Sequence, residues 1–192
     1  MRTQRQRIDL STQLERIIDD LCARVPEFSH INPRRVLVCL TRSRKRTPGG
    51  TFAKLVPMRF SDGSLWKTLH GHCYAFPQIP TAEGEVLYLI YIYIPRFFEQ
   101  PFERRVLTLI HELYHIAPDF DGTIRRFGTR SHGGSRAKFN DNLQPLVDGY
   151  LALNPPEELL TILRHDLKTL SREATLFGRQ MGLPKPVRLW QE

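Results

Sequence analysis

The stretch VLYLIYIYIPRFFEQPFERRVLTLIHELYHI, residues 86–116, decides how the rest of the chain is interpreted. Its first part, Val86 to Ile94, consists of β-branched, aromatic and leucine residues and is apolar on both faces, which predicts a central strand of a sheet. Pro95 ends that strand. From about Gln100 to Ile116, apolar residues recur at the spacing of an amphipathic helix, with Pro101 in its first turn. The segment therefore predicts a buried strand followed by a helix.

The end of that helix carries the motif HELYH, residues 111–115. Four helical residues advance by about 400°, so His111 and His115 lie one turn apart on one side of the helix and can bind one ion together. Neutral imidazole is a favourable ligand for Zn²⁺. Glu112 points to the side of this pair, where its carboxylate can take a proton from a zinc-activated water. The pattern predicts a hydrolytic zinc site in a cleft; the alternative is two surface histidines on an ordinary helix.

A catalytic zinc needs a third protein ligand and one open position. His132 is the first candidate, because it lies on a Gly-rich segment that can fold back toward the motif. Asp119 and Asp121 are alternatives, although aspartates in such a segment are typical turn formers. Asp141 and Asp148, on the helix that follows, are the remaining candidates.

The chain before residue 86 predicts one amphipathic helix and three strands. They lie at about Asp9–Arg24, Arg35–Thr41, Thr51–Phe60 and Leu69–Phe76. Pro57 places the second of these strands at a sheet edge. In the third, His70, His72 and Tyr74 would share one face, and they either line the cleft, bind a second ion or are polar residues of an exposed strand.

The chain after residue 136 predicts two helices and a tail. The first carries apolar residues from Phe139 to Tyr150, and Pro145 is expected to kink or split it. The second begins at the capping sequence of residues 154–157 and carries an apolar stripe as far as Phe177. Residues after Gly178 are expected to form a loosely held tail.

The composition favours a folded globular protein, with 41% hydrophobic and 25% charged residues in 192. Residues 1–10 do not resemble a secretory signal, and the longest apolar run is about half of a membrane span. Cys22, Cys39 and Cys73 are far apart and form no CxxC pair, so no disulfide framework is expected. These features predict a cytoplasmic protein without a membrane partner.

The net charge of +8 favours polyanionic partners such as nucleic acid. Basic residues concentrate between Arg34 and Arg46 and again between Arg125 and Lys138. A solvated surface that aids solubility explains the same pattern. Few aromatic residues lie among these basic ones, so the sequence does not predict a stacking surface for single strands.

Four segments resemble the family described as Putative phage metallopeptidase, over about residues 86–150. They are Leu109–Pro118, Asp119–Gly122, Arg125–Phe127 and Ser131–Gly133. More distantly, His132-Gly133 followed by Phe139 is similar to an element of SprT-like proteases, which act on proteins crosslinked to DNA. The spacer between His115 and His132 is longer than in SprT-like proteases, and zinc-ribbon cysteines are absent from the sequence.

The resemblance implies an α+β, zincin-like fold, with a small mixed sheet packed against the HExxH helix. It does not extend beyond about Asn154, and the C-terminal helices are predicted from the apolar spacing alone. It implies zinc bound by His111, His115 and His132, with Glu112 as general base. Residues 1–153 would form the metallopeptidase domain, and residues 154–192 a C-terminal helix and tail packed on it.

The leading hypothesis is a zinc peptidase acting on a protein or peptide substrate. The alternative is a DNA-associated basic protein with a structural metal site, or a protease directed at DNA-bound proteins. The sequence does not predict an oligomeric state.

Overall fold

The computed structural model describes residues 5–43, 50–126 and 136–189. This part of the chain is mixed α+β, with small sheets and five α-helices. The helices are α1 (Leu10–Arg24), α2 (Phe102–Tyr114), α3 (Arg136–Ala152), α4 (Glu157–Arg164) and α5 (Leu167–Glu173). The strands are β1 (Gln6–Asp9), β2 (Val36–Arg42), β3 (Ala53–Pro57), β4 (Trp66–Leu69), β5 (His72–Ala75), β6 (Pro80–Thr81), β7 (Gly84–Glu85), β8 (Tyr88–Ile94), β9 (Ala174–Phe177) and β10 (Val187–Arg188).

The main sheet has three strands in the order β2-β8-β3. Strand β8 is parallel to β2 and antiparallel to β3, so the central position predicted for it is confirmed. Alternate β8 residues enter opposite clusters: Ile90 and Ile92 face the main core, whereas Leu89 and Tyr91 face a smaller one. This burial on both faces explains why the strand is apolar throughout.

Strand β3 forms the edge of this sheet within the described residues, as Pro57 predicted. Tyr93 donates a backbone hydrogen bond to Phe52, and Met58 donates one to Leu87. The backbone N–H and C=O groups of the even-numbered residues of β3 therefore point toward β8. Those of Leu55, and the C=O of Pro57, point toward the outer edge of the sheet. Pro57 consequently removes no hydrogen bond from the ladder.

Helices α1 and α2 cover the main-core face of the sheet, with α1 against β2 and α2 against β3. Asp9 caps α1 by accepting hydrogen bonds from the backbone of Ser11 (3.0 Å) and Thr12 (3.3 Å). The buried stripe of α1 includes Leu14, Ile17, Ile18 and Leu21. The helix predicted over Asp9–Arg24 is confirmed, with Asp9 as its cap.

The strand predicted over Leu69–Phe76 is wrong, because the chain turns back within it. Strands β4 and β5 form a hairpin in which Leu69 pairs with His72. The two turn residues, His70 (φ 51) and Gly71 (φ 76), adopt the left-handed conformation of a tight hairpin turn. His70 therefore lies in the turn, and only His72 and Tyr74 share a strand face.

The single long helix predicted after residue 157 is also wrong. Helix α4 ends at Arg164, and Asp166 caps a new helix, α5, by accepting a hydrogen bond from the backbone of Thr169 (2.7 Å). Residues 174–177 then form β9, which pairs in parallel with β1. By contrast, α3 continues through Pro145 as one helix, so the expected split does not occur.

The described residues after Gly178, residues 179–189, are hydrogen-bonded to several strands, contrary to the loose tail expected. Arg179 accepts a backbone hydrogen bond from Leu40 (2.7 Å) and donates one to the hydroxyl of Ser11 (2.9 Å). Further along, the hydroxyl of Tyr91 donates to Gly182 (2.9 Å), and β10 pairs with β5. These contacts join the C-terminal segment to α1, to the main sheet and to the β4–β5 hairpin.

All three cysteines are free, in agreement with the sequence. In the described part of the chain, none of the helices has the length and apolar character needed to cross a membrane.

Candidate metal centre

Helix α2 carries the HELYH motif at its C-terminal end. Leu109, Ile110 and Leu113 are fully buried in the main core, so this side of the helix is fixed against the sheet. His111 and Glu112 are 5% and 4% exposed, respectively. His115, which is 8% exposed, caps the helix. The two histidines and the glutamate of the motif are thus almost fully buried.

Helix α3 covers the two histidines. The ring of Phe139 stacks on His115, with the ring centroids 5.4 Å apart and the planes 6° apart. The same ring meets His111 edge-on at 5.0 Å. A cavity of about 310 Å³ nevertheless reaches the motif, and its lining includes His111, Glu112 and Asn140. The site is therefore narrow and partly shielded from water.

The two imidazoles converge on one point. Nε2 of His111 lies 3.1 Å from Nε2 of His115. Nδ1 of His111 lies 2.7 Å from Oδ1 of Asn140. An amide oxygen only accepts hydrogen bonds, so Nδ1 of His111 carries the proton and its Nε2 presents a lone pair toward His115.

This arrangement fits a divalent ion. Two nitrogens bound tetrahedrally to zinc at about 2.05 Å are about 3.3 Å apart, close to the spacing found between His111 and His115. The hydrogen bond to Asn140 is also of the kind that orients metal-bound histidines. Within the described residues, no group of three or more His, Cys, Asp or Glu side chains suited to a metal is present.

Glu112 connects the motif to the edge of the main sheet. Its Oε2 accepts a hydrogen bond of 2.7 Å from the backbone N–H of Leu55. This contact occupies the outward-facing N–H of Leu55 and so places the carboxylate at the edge of β3. Glu112 therefore contacts the edge of β3 and also lines the cavity together with His111.

The five candidate third ligands lie in three different parts of the chain. His132 lies outside the described residues. Asp121 accepts hydrogen bonds from the backbone (2.9 Å) and hydroxyl (2.7 Å) of Thr123, as a turn former does. Asp119 lies exposed in the same turn.

The other two candidates lie on α3, and both are exposed. Asp148 follows Phe139 by nine positions, which places it on about the opposite side of α3, and it accepts a hydrogen bond from Gln144 (2.9 Å). Asp141 directly follows Asn140 and is exposed. His70 and His72 belong to the β4–β5 hairpin and are not part of the cavity lining.

Both described segments that flank residues 127–135 contact the motif. After α2, Ile124 bridges to Ile116, and the backbone of Arg125 donates to His115 (2.7 Å). The guanidinium of Arg125 lies 4.4 Å from the ring centroid of Tyr114. On the other flank, α3 brings Phe139 against the imidazoles.

Tyr88 holds the turn after α2 against the sheet. Its hydroxyl accepts a hydrogen bond from the backbone of Gly122 (3.0 Å) and donates one to Thr123 (2.8 Å). Burial raises the pKa of Tyr88 to about 12, so the hydroxyl keeps the proton that it donates. Gly122 has φ 87, and a Cβ there would meet Arg59 at 2.5 Å, which explains the glycine.

Sequence reasoning missed Asn140 and the N–H of Leu55. Asn140 directly follows Phe139, but its role depends on how α3 crosses α2, which no local pattern specifies. The Leu55 contact involves a backbone group, so the residue type gives no signal.

The family model described as Putative phage metallopeptidase matches residues 7–136, about two thirds of the chain. The chain belongs to this family. The matched region runs from β1 to the beginning of α3 and so includes the whole main sheet and the HExxH helix. The mixed α+β arrangement is consistent with a zincin-like fold. The comparisons with curated proteins and with solved structures found no match.

Membership of this family associates the chain with metallopeptidases, a class of hydrolases that use a metal ion and act on proteins or peptides.

Proposed function

We propose that this chain is a zinc-dependent peptidase whose metal is bound by His111, His115 and His132. The approach of the two Nε2 atoms to 3.1 Å carries the proposal, because two ring nitrogens this close together suit a shared cation. Asn140 fixes the tautomer of His111 that this requires. When bound, zinc polarises the scissile carbonyl and lowers the pKa of a water ligand to about 7.

His132 is proposed as the third ligand because its position in the chain keeps it within reach of the two imidazoles. It is four positions before Arg136, where α3 begins, and a four-residue segment spans at most about 14 Å. Both flanks of its segment contact His115, through Arg125 on one side and Phe139 on the other. The exposed aspartates have no comparable support.

Glu112 is proposed as the general base. Its carboxylate takes a proton from the attacking water and delivers it to the nitrogen of the leaving amine. The N–H of Leu55 holds one carboxylate oxygen and so fixes the direction of the other. Burial by Phe139 limits the access of bulk water to the imidazoles, which strengthens electrostatic interactions in the site.

The open edge of β3 is proposed to bind the substrate as an additional strand. Backbone groups of β3 that do not pair with β8 face this edge, and Glu112 lies beside them. An extended peptide bound there would place its scissile bond next to the imidazole pair.

We further propose that residues 154–192 belong to the same domain as the rest of the chain. Helix α4 packs against α1 and α2, and Arg179 is hydrogen-bonded to Ser11 and Leu40. The nucleic-acid partner and the cytoplasmic location expected from the sequence stay predictions.

Removal of the metal is expected to abolish peptide hydrolysis. The protein is treated with a zinc chelator, or with an isomer of it that does not chelate, and cleavage of a quenched fluorescent casein is followed. Turnover should disappear only with the chelator and return when Zn²⁺ is added, because both polarisation and water activation depend on the ion. Hydrolysis that continues in protein shown to be free of metal would overturn the proposal.

A further inference from the structure

Arg104 lines the same cavity as His111 and Glu112. We propose that Arg104 determines specificity by binding a carboxylate of the substrate two to three residues from the scissile bond. This inference rests on the proposed peptidase function. The carboxylate is either an acidic side chain or the free C-terminus of the peptide.

The position of Arg104 on α2 sets this distance. Arg104, Thr108 and His111 are spaced by four and three residues, so they lie along one face of the helix. Seven residues of helix rise about 10.5 Å, and an extended peptide rises about 3.3 Å per residue. Arg104 therefore lies about three substrate residues from the imidazoles, or about two when its side chain bends toward them.

Arg104 is available to a ligand. Its side chain is exposed, and among the described residues no carboxylate forms an ion pair with it. Nearby arginines are engaged: Arg105 donates to backbone carbonyls, and Arg125 lies over Tyr114. In the described lining of the cavity, Arg104 is the one arginine or lysine and Glu112 the one acidic side chain.

The surroundings of Arg104 favour a carboxylate over other groups. Phe52, Pro101 and Leu107 provide an apolar part of the cavity wall. An apolar wall reduces the screening of an ion pair by water. The guanidinium donates two parallel hydrogen bonds to a carboxylate, which neutral amides do not match. Glu112, at the other end of the cavity, would repel an acidic group placed near the reacting bond.

The test compares charge variants on matched peptides. Short fluorescein-labelled peptides of one Ala-, Gly- and Phe-rich sequence carry Glu, Gln or Lys at one position at a time, with a free or an amidated C-terminus. Zinc-loaded wild type, Arg104→Glu and Arg172→Glu are compared. Arg172 is an exposed arginine of α5 outside the cavity and controls for the change in net charge.

Wild type and Arg172→Glu should prefer a carboxylate over its neutral counterpart by about tenfold in kcat/KM, at a position two or three residues from the cleaved bond. Arg104→Glu should lose this preference and favour Lys at the same position. Dependence on Glu identifies a side chain as the source of the carboxylate, whereas dependence on the free terminus identifies a carboxypeptidase-like mode. An unchanged preference in Arg104→Glu would overturn the inference.

Affinity measured without turnover separates this inference from the proposed function. The same peptides are titrated by fluorescence anisotropy into zinc-loaded Glu112→Gln, with and without Arg104→Glu. Carboxylate selectivity that depends on Arg104, combined with no hydrolysis by wild type, would support carboxylate binding by Arg104 and contradict the peptidase proposal. Hydrolysis without such selectivity would contradict the inference alone, and the absence of both would overturn both.

Discussion

Replacing Glu112 by Gln is expected to reduce kcat by about a thousandfold while zinc stays bound. Glutamine has nearly the same shape as glutamate, and its amide oxygen can still accept the hydrogen bond from Leu55. It cannot take a proton from water, so the substitution removes the base and keeps the local structure. Steady-state hydrolysis and zinc content are measured on the same preparation.

Glu103→Gln is the matched control, because Glu103 is an exposed acid on the same helix. It should retain turnover close to that of the wild type. A Glu112→Gln protein that hydrolyses peptides as fast as Glu103→Gln would show that Glu112 is not the base. Loss of zinc from Glu112→Gln would instead indicate that the carboxylate holds the metal.

Replacing Arg105 by Met is expected to lower the free energy of unfolding by about 3 kcal/mol. Arg105 is 6% exposed, and its guanidinium donates to the carbonyl oxygens of Gln100 (2.7 Å), Phe98, Leu163 (2.7 Å) and His165 (2.6 Å). It thereby joins the beginning of α2 to the end of α4. Methionine fills a similar volume but leaves these acceptors without their donor.

Arg104→Met provides the control, because it removes the same charge from the residue directly before Arg105, and Arg104 is exposed. Its effect should stay within about 0.5 kcal/mol. Urea unfolding is measured with a chelator present, so that metal binding does not contribute to the stability. Equal effects of the two substitutions would show that the carbonyl contacts of Arg105 contribute little.

The sequence predicts the region around the motif well, because its signals there are strong and local. Burial on both faces makes β8 apolar throughout, and the stripe of α2 is long enough to identify a helix. Pro57 correctly indicates an edge strand, since proline has no N–H to contribute to a ladder.

Prediction fails where short polar signals or distant contacts override an apolar pattern. His70 and Gly71 adopt left-handed conformations that turn one predicted strand into a hairpin. The apolar spacing after residue 157 suggests one helix, but Asp166 caps a new one and β9 finds a partner in β1, more than 160 residues earlier in the chain. Such pairing leaves no local pattern in the sequence.

In the candidate site, too, local features could be predicted from sequence and contacts between distant parts of the chain could not. The motif itself is evident from spacing, whereas its partners come from elsewhere in the chain. Asn140 reaches His111 only because α3 packs across α2, and the Leu55 contact requires β3 to lie at the sheet edge. These contacts depend on the tertiary arrangement.

The zinc content of protein purified without added metal tests most directly whether His111 and His115 share one ion. Wild type, His115→Ala, the double variant His111→Ala/His115→Ala and the control His165→Ala are compared by elemental mass spectrometry. His165 is exposed and lies between α4 and α5. We expect about one zinc per chain in wild type and His165→Ala, and a loss of zinc in the other two. Zinc bound equally by the double variant, or absent from a folded wild type even after Zn²⁺ is supplied, would contradict the shared metal site.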